Sequence, residues 1–325
     1  MRAIRFEHVS RQFPGAPRLA VNDVSLEIEA GSFVALVGPS GCGKTTLLKM
    51  VNRLYEPTAG KIYIDQTEIR DLPATKLRQQ IGYVIQQVGL FPHMTVAKNI
   101  AVVPQLLGWP REKIAARTDE LLALIGLPPA EYRARYPAQL SGGQQQRVGL
   151  ARALAADPGV MLMDEPFGAI DAITRTGLQD ELARLQRTLK KTILFVTHDV
   201  EEALRLGDMI VVMKEGRIVQ YGTPLSVLTQ PVDAFVHDLL GADDMVRQLG
   251  LLRVEETMAA ASGGARTNDG PTIGRDDNLR HALSILLRTD APVLTVIEGE
   301  NAVGTLTLEQ IHRAVLTGKA NAVHH

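Results

Sequence analysis

Residues 38–45, GPSGCGKT, place three glycines, a lysine and two hydroxyls within eight positions. Glycines let a backbone curl so that successive N–H groups face one point, which suits phosphate oxygens. The spacing fits G-x-x-x-x-G-K-[ST], a cradle that needs a strand before it and a helix after it. The run SFVALVG precedes it and TTLLKMVNRL follows. Gly38, Pro39, Ser40, Gly41, Cys42 and Gly43 would form the cradle. Lys44 would reach the β- and γ-phosphates, Thr45 would hold Mg²⁺, and Thr46 would add a phosphate contact. The competing reading is an ordinary glycine-rich turn; the lysine, both threonines and the flanking elements favour phosphate.

A second group supplies reactive side chains. Asp164 and Glu165 end the apolar run VMLMDEP, and His198 ends another, FVTHD. Carboxyl ends of parallel strands are where α/β sheets bind ligands. Asp164 would act on Mg²⁺ through water, and Glu165 would orient and deprotonate an attacking water. Alone, such a pair is usually a solvated strand end, and a lone histidine is more often structural. The neighbouring cradle favours a contact from His198 to the γ-phosphate and the attacking water. Gln86, in GYVIQQVGLFPHMT, could sense Mg²⁺ and that water. Ser141, Gly142 and Gly143, in LSGGQQQRVGLARAL, open a helical run, where free amides and the helix dipole make a second anion site.

The elements that must carry these residues follow from hydropathy. RAIRFEHVS and VNDVSLEIEAG alternate and predict antiparallel strands. SFVALVG, GVMLMDE and KTILFVTH are nearly continuous apolar runs, as in strands buried on both faces of a parallel sheet. DMIVVMKEGRIVQYG predicts a hairpin. Residues 93–156 have helical spacing, with Pro110 in the first turn of one helix and Gly126 at its end. Helical patterns run from Pro224 to Leu252. Residues 259–272 read as a loop or linker, followed by a small α+β unit.

The chain has 325 residues, 45% hydrophobic and 22% charged, with a net charge of −1. No overall positive field points to nucleic acid. The single cysteine, Cys42, excludes a disulfide framework within one chain and fits a reducing compartment. The N-terminus has no apolar core of a signal peptide, and no stretch approaches the roughly 20 apolar residues that span a bilayer. A membrane role would come through a partner.

Taken together, the phosphate loop, Gln86, LSGGQ, the DE strand, FGAID with Asp171, and His198 resemble the ATP-binding cassette (ABC) ATPases in residue type and order. The resemblance covers residues 1–240. It implies a P-loop NTPase with a mainly parallel core sheet, an antiparallel β subdomain and a helical subdomain at about 93–156. It implies that Phe13 stacks on adenine, and that ATP and Mg²⁺ are the bound species. It also implies a head-to-tail dimer, in which Ser141, Gly142, Gly143 and Gln144 of one copy close over ATP held by the other. Asp171 belongs to the same nucleotide-binding set.

Several segments narrow the likeness to importers of osmoprotectants such as glycine betaine, choline, carnitine or proline-type solutes: NRLYEPTAGKIYIDQTEI, IGYVIQQVGLFPHMTVAKNIAVVPQLLGW and VDAFVHDLLGADDMVRQLGLLRVEETM. That likeness implies integral-membrane permease subunits, a solute-binding protein, and a place at the cytoplasmic face of the membrane. Residues 241–262 would connect to a regulatory domain at 263–325 that resembles one CBS module beginning near 251. Gln310 stands where that pattern has an aspartate, which argues against ribose binding there and leaves a dimer clamp or an ionic-strength sensor. The other readings are an importer of another small solute such as an amino acid, a cassette acting on DNA or the ribosome, and a nucleotide sensor without turnover. The second lacks its long coiled-coil insert or paired cassettes. The third has no use for Glu165 and His198.

Overall fold

The computed structural model describes residues 2–85, 89–168, 170, 172–260, 270–299 and 301–320. The chain divides into two compact units, Met1–Tyr221 and Gly222–His325. By contacts the division falls ahead of the 240 read from the motifs.

In the first unit, β1 (Arg2–Arg11) lies between β2 (Val21–Glu29) and β4 (Ala59–Ile64), with β5 (Thr67–Glu68) outside β4. Both pairings of β1 are antiparallel, Phe6 standing opposite Leu26 on one side and Ile62 on the other. Alternate residues of these strands are buried, as the alternating pattern requires.

The second sheet has the order β10-β9-β3-β8-β7-β6. Its strands are β3 (Phe33–Val37), β6 (Ile81–Val84), β7 (Val160–Asp164), β8 (Thr192–Val196), β9 (Met209–Lys214) and β10 (Arg217–Gly222). All pairings among β9, β3, β8, β7 and β6 are parallel. Every residue of β3, β7 and β8 is buried, which explains their unbroken apolar character. Glu215 and Gly216, both at positive φ, turn β9 into β10.

Helices α1 (Lys44–Val51), α2 (Ala74–Gln79), α7 (Ala172–Leu189) and α8 (Val200–Leu206) accompany these sheets. The helical segment comprises α3 (Val96–Leu106), α4 (Arg111–Leu124), α5 (Pro129–Tyr132) and α6 (Gly142–Leu154). Pro110 is the cap residue of α4, one position ahead of the first turn where the sequence placed it. Gly126, at φ 67°, follows its end.

The second unit opens with α9 (Pro224–Thr229), α10 (Ala234–Leu240) and α11 (Met245–Leu251). Its sheet, β11-β14-β13-β12, contains β11 (Ala259–Ala260), β12 (Thr272–Gly274), β13 (Val293–Glu298) and β14 (Asn301–Thr307). Helices α12 (Leu279–Thr289) and α13 (Leu308–Ala320) complete it. Leu249, Leu279, Ile285, Leu294, Val296 and Leu306 share its core. The stretch expected to be a loop therefore contributes strand residues at both ends, and residues 261–269 lie outside the described set. Among the described residues no helix is long and apolar enough to cross a membrane.

Phe195 on β8 is fully buried, with its ring centre 5.5 Å from that of Phe33 and 5.9 Å from that of Phe167. Truncating such a ring leaves a cavity in a close-packed core. Phe195→Ala is expected to lose about 3–5 kcal/mol in urea unfolding. A loss below about 1 kcal/mol would contradict its place at the centre of the sheet's packing.

Candidate functional site

The parallel register makes three strands end level. Leu36 of β3 and Asp164 of β7 both stand opposite Val196 of β8. The next residues along each strand, Gly38, Glu165, Thr197 and His198, therefore emerge at one edge of the sheet. This edge collects the phosphate loop, both carboxylates and the histidine.

The loop's conformation explains its glycines. Gly38 has φ 151°, and a Cβ there would stand 2.2 Å from the Met213 carbonyl oxygen. Gly43 has φ 109°, and a Cβ would stand 2.3 Å from the Ala20 carbonyl oxygen. Neither position has room for a side chain. The Gly216 N–H donates to the Cys42 carbonyl at 2.9 Å, tying the loop to the β9–β10 turn. Gly43 caps α1, so the loop delivers the first amides of that helix. Pro39, Ser40 and Gly41 are exposed and Thr46 is half-buried.

Lys44 is buried, and its Nζ donates to the Gly38 and Pro39 carbonyls at 2.7 and 3.0 Å. It also lies 3.7 Å from Cys42 Sγ. The loop thus holds its own cation in place through backbone oxygens.

Thr45 Oγ1 donates to Asp164 Oδ1 at 2.8 Å, joining the loop to the end of β7. Asp164 is 8% exposed. Burial pushes its carboxyl above the usual carboxylate range, and the charge of Glu165 adds to this; the Thr45 hydroxyl and the Lys49 and Lys44 charges oppose it. A divalent cation would relieve that burial. Among the described residues no group of three His, Cys, Asp or Glu side chains forms a metal cluster. One hydroxyl and one carboxylate suit Mg²⁺, which takes few protein ligands and completes its shell with water and phosphate oxygens.

Glu165 follows in the left-handed region, φ 45°, and its N–H donates to the Val196 carbonyl at 2.9 Å. That conformation costs a non-glycine residue about 1–2 kcal/mol. It redirects the chain so that Glu165 Oε2 meets His198 Nδ1 at 3.2 Å. Such a pair can orient an imidazole and hold a proton between carboxylate and ring.

The LSGGQ residues form a separate feature. Ser141 Oγ accepts from the Gln144 N–H at 3.3 Å, while Gln144 Oε1 accepts from the Ser141 N–H at 3.0 Å. This reciprocal cap starts α6 and leaves the amides of Gly142 and Gly143 without intrahelical acceptors. Ser141 and Gly142 are exposed. The serine's described partner is Gln144, so the first unit carries two anion-ready features instead of one joined site.

Phe13 packs edge-on against Tyr55, ring centres 5.1 Å apart, and the Arg11 guanidinium lies 4.7 Å from the Phe13 ring centre. Tyr55 and Arg11 escaped the sequence reading; an aromatic after the loop's helix was the available signal. Gln146, also missed, donates to the carbonyl of Pro166 and so ties α6 to the turn after Glu165. Gln86 and Asp171 lie outside the described residues. In the second unit, Gln310 Oε1 accepts from the Thr307 N–H at 2.7 Å, which commits that side chain to the start of α13.

Comparison with known proteins gives a consistent result. A family model described as ABC transporter matches residues 21–168. The chain is 47% identical over 311 residues to the glycine betaine/carnitine/choline transport ATP-binding protein of Bacillus subtilis, covering 95% of this chain and 79% of that protein. It is 49% identical over 310 residues to the glycine betaine uptake system ATP-binding protein of Escherichia coli, covering 95% and 98%. Among solved structures, a dimeric ATP-binding cassette in a post-hydrolysis state, bound to ADP and Pi, superposes with a TM-score of 0.61 at 34% identity, covering 68% of this chain and 98% of that one.

The raised carboxyl of Asp164 has a measurable consequence. The folded state holds its proton to higher pH than the unfolded chain, so stability falls as pH rises through and above the ordinary carboxylate range. Asp164→Asn keeps an acceptor for Thr45 and removes the charge. In nucleotide-free urea unfolding at neutral pH it is expected to be more stable than the parent, with a shallower fall of stability with pH. A less stable variant would contradict the dominance of burial at this carboxyl.

Proposed function

The chain belongs to the ABC transporter family of ATP-binding proteins, and from that membership we propose that it hydrolyses ATP to drive import of osmoprotectant solutes. The solutes are quaternary amines such as glycine betaine, choline or carnitine, or proline-type compounds. The observation that carries the hydrolytic part is the level sheet edge uniting Lys44, Thr45, Asp164, Glu165 and His198. The solute class is supported by relatives similar along nearly the whole chain.

In this reading the amides of residues 38–46 and the Lys44 ammonium bind the phosphates, and Phe13 stacks on adenine. Thr45 and Asp164 would hold Mg²⁺, and Gln86 is assigned to sense the ion and the attacking water; when bound, the ion neutralises charge on the phosphate oxygens. Glu165 takes the proton of the attacking water, and its described contact with His198 fixes both side chains beside the γ-phosphate. The Ser141 start of α6, with Gly142, Gly143 and Gln144, closes over the nucleotide of a second copy. Asp171 is assigned to the same nucleotide-binding set.

The partners are that second copy, integral-membrane permease subunits and, through the permease, a solute-binding protein. The chain would lie at the cytoplasmic face of the membrane. A groove of about 600 Å³ beside α3 and α4, lined in part by Ala97, Lys98, Ala101, Trp109 and Ile114, offers the permease a place to dock. The CBS-like region, residues 263–325, would act as a dimer clamp or a sensor of ionic strength, and the capping role of Gln310 supports neither ribose nor nucleotide there.

Two measurements test this. Glu165→Gln is expected to bind ATP but to hydrolyse it about 10²- to 10⁴-fold more slowly; turnover at the parent rate would remove the base. Reconstituted with its permease and binding protein, the chain should show ATPase activity stimulated by a quaternary amine or a proline-type solute. Stimulation confined to some other solute would overturn the assigned class.

A further inference from the structure

His198 is an exposed side chain on a strand end, so something must hold its backbone still. Thr197, buried beside it, does this with one hydroxyl. Its Oγ1 accepts from the Asp199 N–H at 3.0 Å, bridging the chain across His198. The same Oγ1 donates to Glu202 Oε2 at 2.6 Å. The Thr197 N–H donates to the Leu36 carbonyl at 3.2 Å, anchoring the corner to the strand that leads into the phosphate loop.

Glu202 is 5% exposed. Its other oxygen accepts from Gln179 Nε2 of α7 at 3.3 Å, and Gln179 is 6% exposed. A parallel bridge runs through Arg175, whose Nη2 donates to the Ile170 carbonyl at 3.0 Å and whose Nη1 lies 3.7 Å from Asp199 Oδ2. Asp199 Oδ1 in turn caps α8 through the amides of Glu201 and Glu202.

Burying a carboxylate is costly, and an apolar side chain of similar volume would often stabilise the fold as well or better. The carboxylate here directs the one hydroxyl that bridges His198. Without it, the Thr197 side chain is no longer pinned about χ1, and where Oγ1 swings away the Asp199 amide loses its acceptor. The His198–Glu165 contact then loosens.

We propose that Thr197 and Glu202 are positioning residues for hydrolysis, holding His198 against Glu165 through the chain Gln179–Glu202–Thr197–Asp199. The proposal rests on the hydrolytic reading of His198. It adds that the helix following the FGAID loop is mechanically connected to the histidine.

The test is a double-mutant cycle on ATP hydrolysis by the full chain. Thr197→Val is nearly isosteric and removes only the hydroxyl. It is expected to lower kcat about ten- to hundredfold, leaving KM for ATP within about twofold, whereas Thr197→Ser should restore most of the rate. On a His198→Ala background, Thr197→Val should slow the reaction little further, because the group it positions is gone. Glu202→Leu serves in the same cycle if the valine variant fails to unfold cooperatively. Parent-like kcat in Thr197→Val, or equal losses with and without His198, would overturn the positioning role. Parent-like kcat in His198→Ala would instead overturn the hydrolytic reading beneath it.

Discussion

The level ends of β3, β8 and β7 are the constraint on which the first unit depends. Parallel pairing fixes Leu36, Val196 and Asp164 in one register, and the residues just beyond them share an edge. A slip of one residue would turn every side chain of a strand to the other face. Full burial of all three strands opposes such slips, because each strand is packed on both faces. The Thr45–Asp164 hydrogen bond then closes the edge from the loop side.

That edge concentrates unfavourable features where binding can offset them. Asp164 is a buried carboxylate, Glu165 sits in a left-handed backbone conformation, and Lys44 is buried within its own loop. Each costs stability in the isolated chain. Strain and buried charge of this kind cluster at functional sites. In the second unit, Gln310 and Asn278 instead start helices, and Asp277 secures a turn.

Much of this was legible in the sequence, for identifiable reasons. GPSGCGKT could be read because Gly38 and Gly43 answer to backbone collisions, at Met213 and Ala20, that no other residue would survive. VMLMD and TILFV could be read because strands buried on both faces have no alternation. The two-residue β11 and three-residue β12 could not, because pairing with β14 and β13 alone makes them strands. Glu202 was hidden for another reason. Two acidic residues in the first turn of α8 look like ordinary partners of a helix dipole, and only packing reveals that one of them turns inward to Thr197. The pairing of Phe13 with Tyr55 likewise joins residues that no local pattern connects.

The first unit divides its anion-binding features between two places. Lys44, Thr45, Asp164, Glu165 and His198 share one edge, while the Ser141 cap starts a different helix with its hydroxyl turned to Gln144. In the proposed function these two parts belong to a reaction centre that closes between two copies. The most direct test is the specific ATPase activity of the purified chain across a wide range of protein concentration, followed alongside its sedimentation. Activity per chain is expected to rise with concentration and to level off as dimers form with ATP. Activity per chain that stays constant and undiminished down to concentrations where the protein sediments only as a monomer would contradict it.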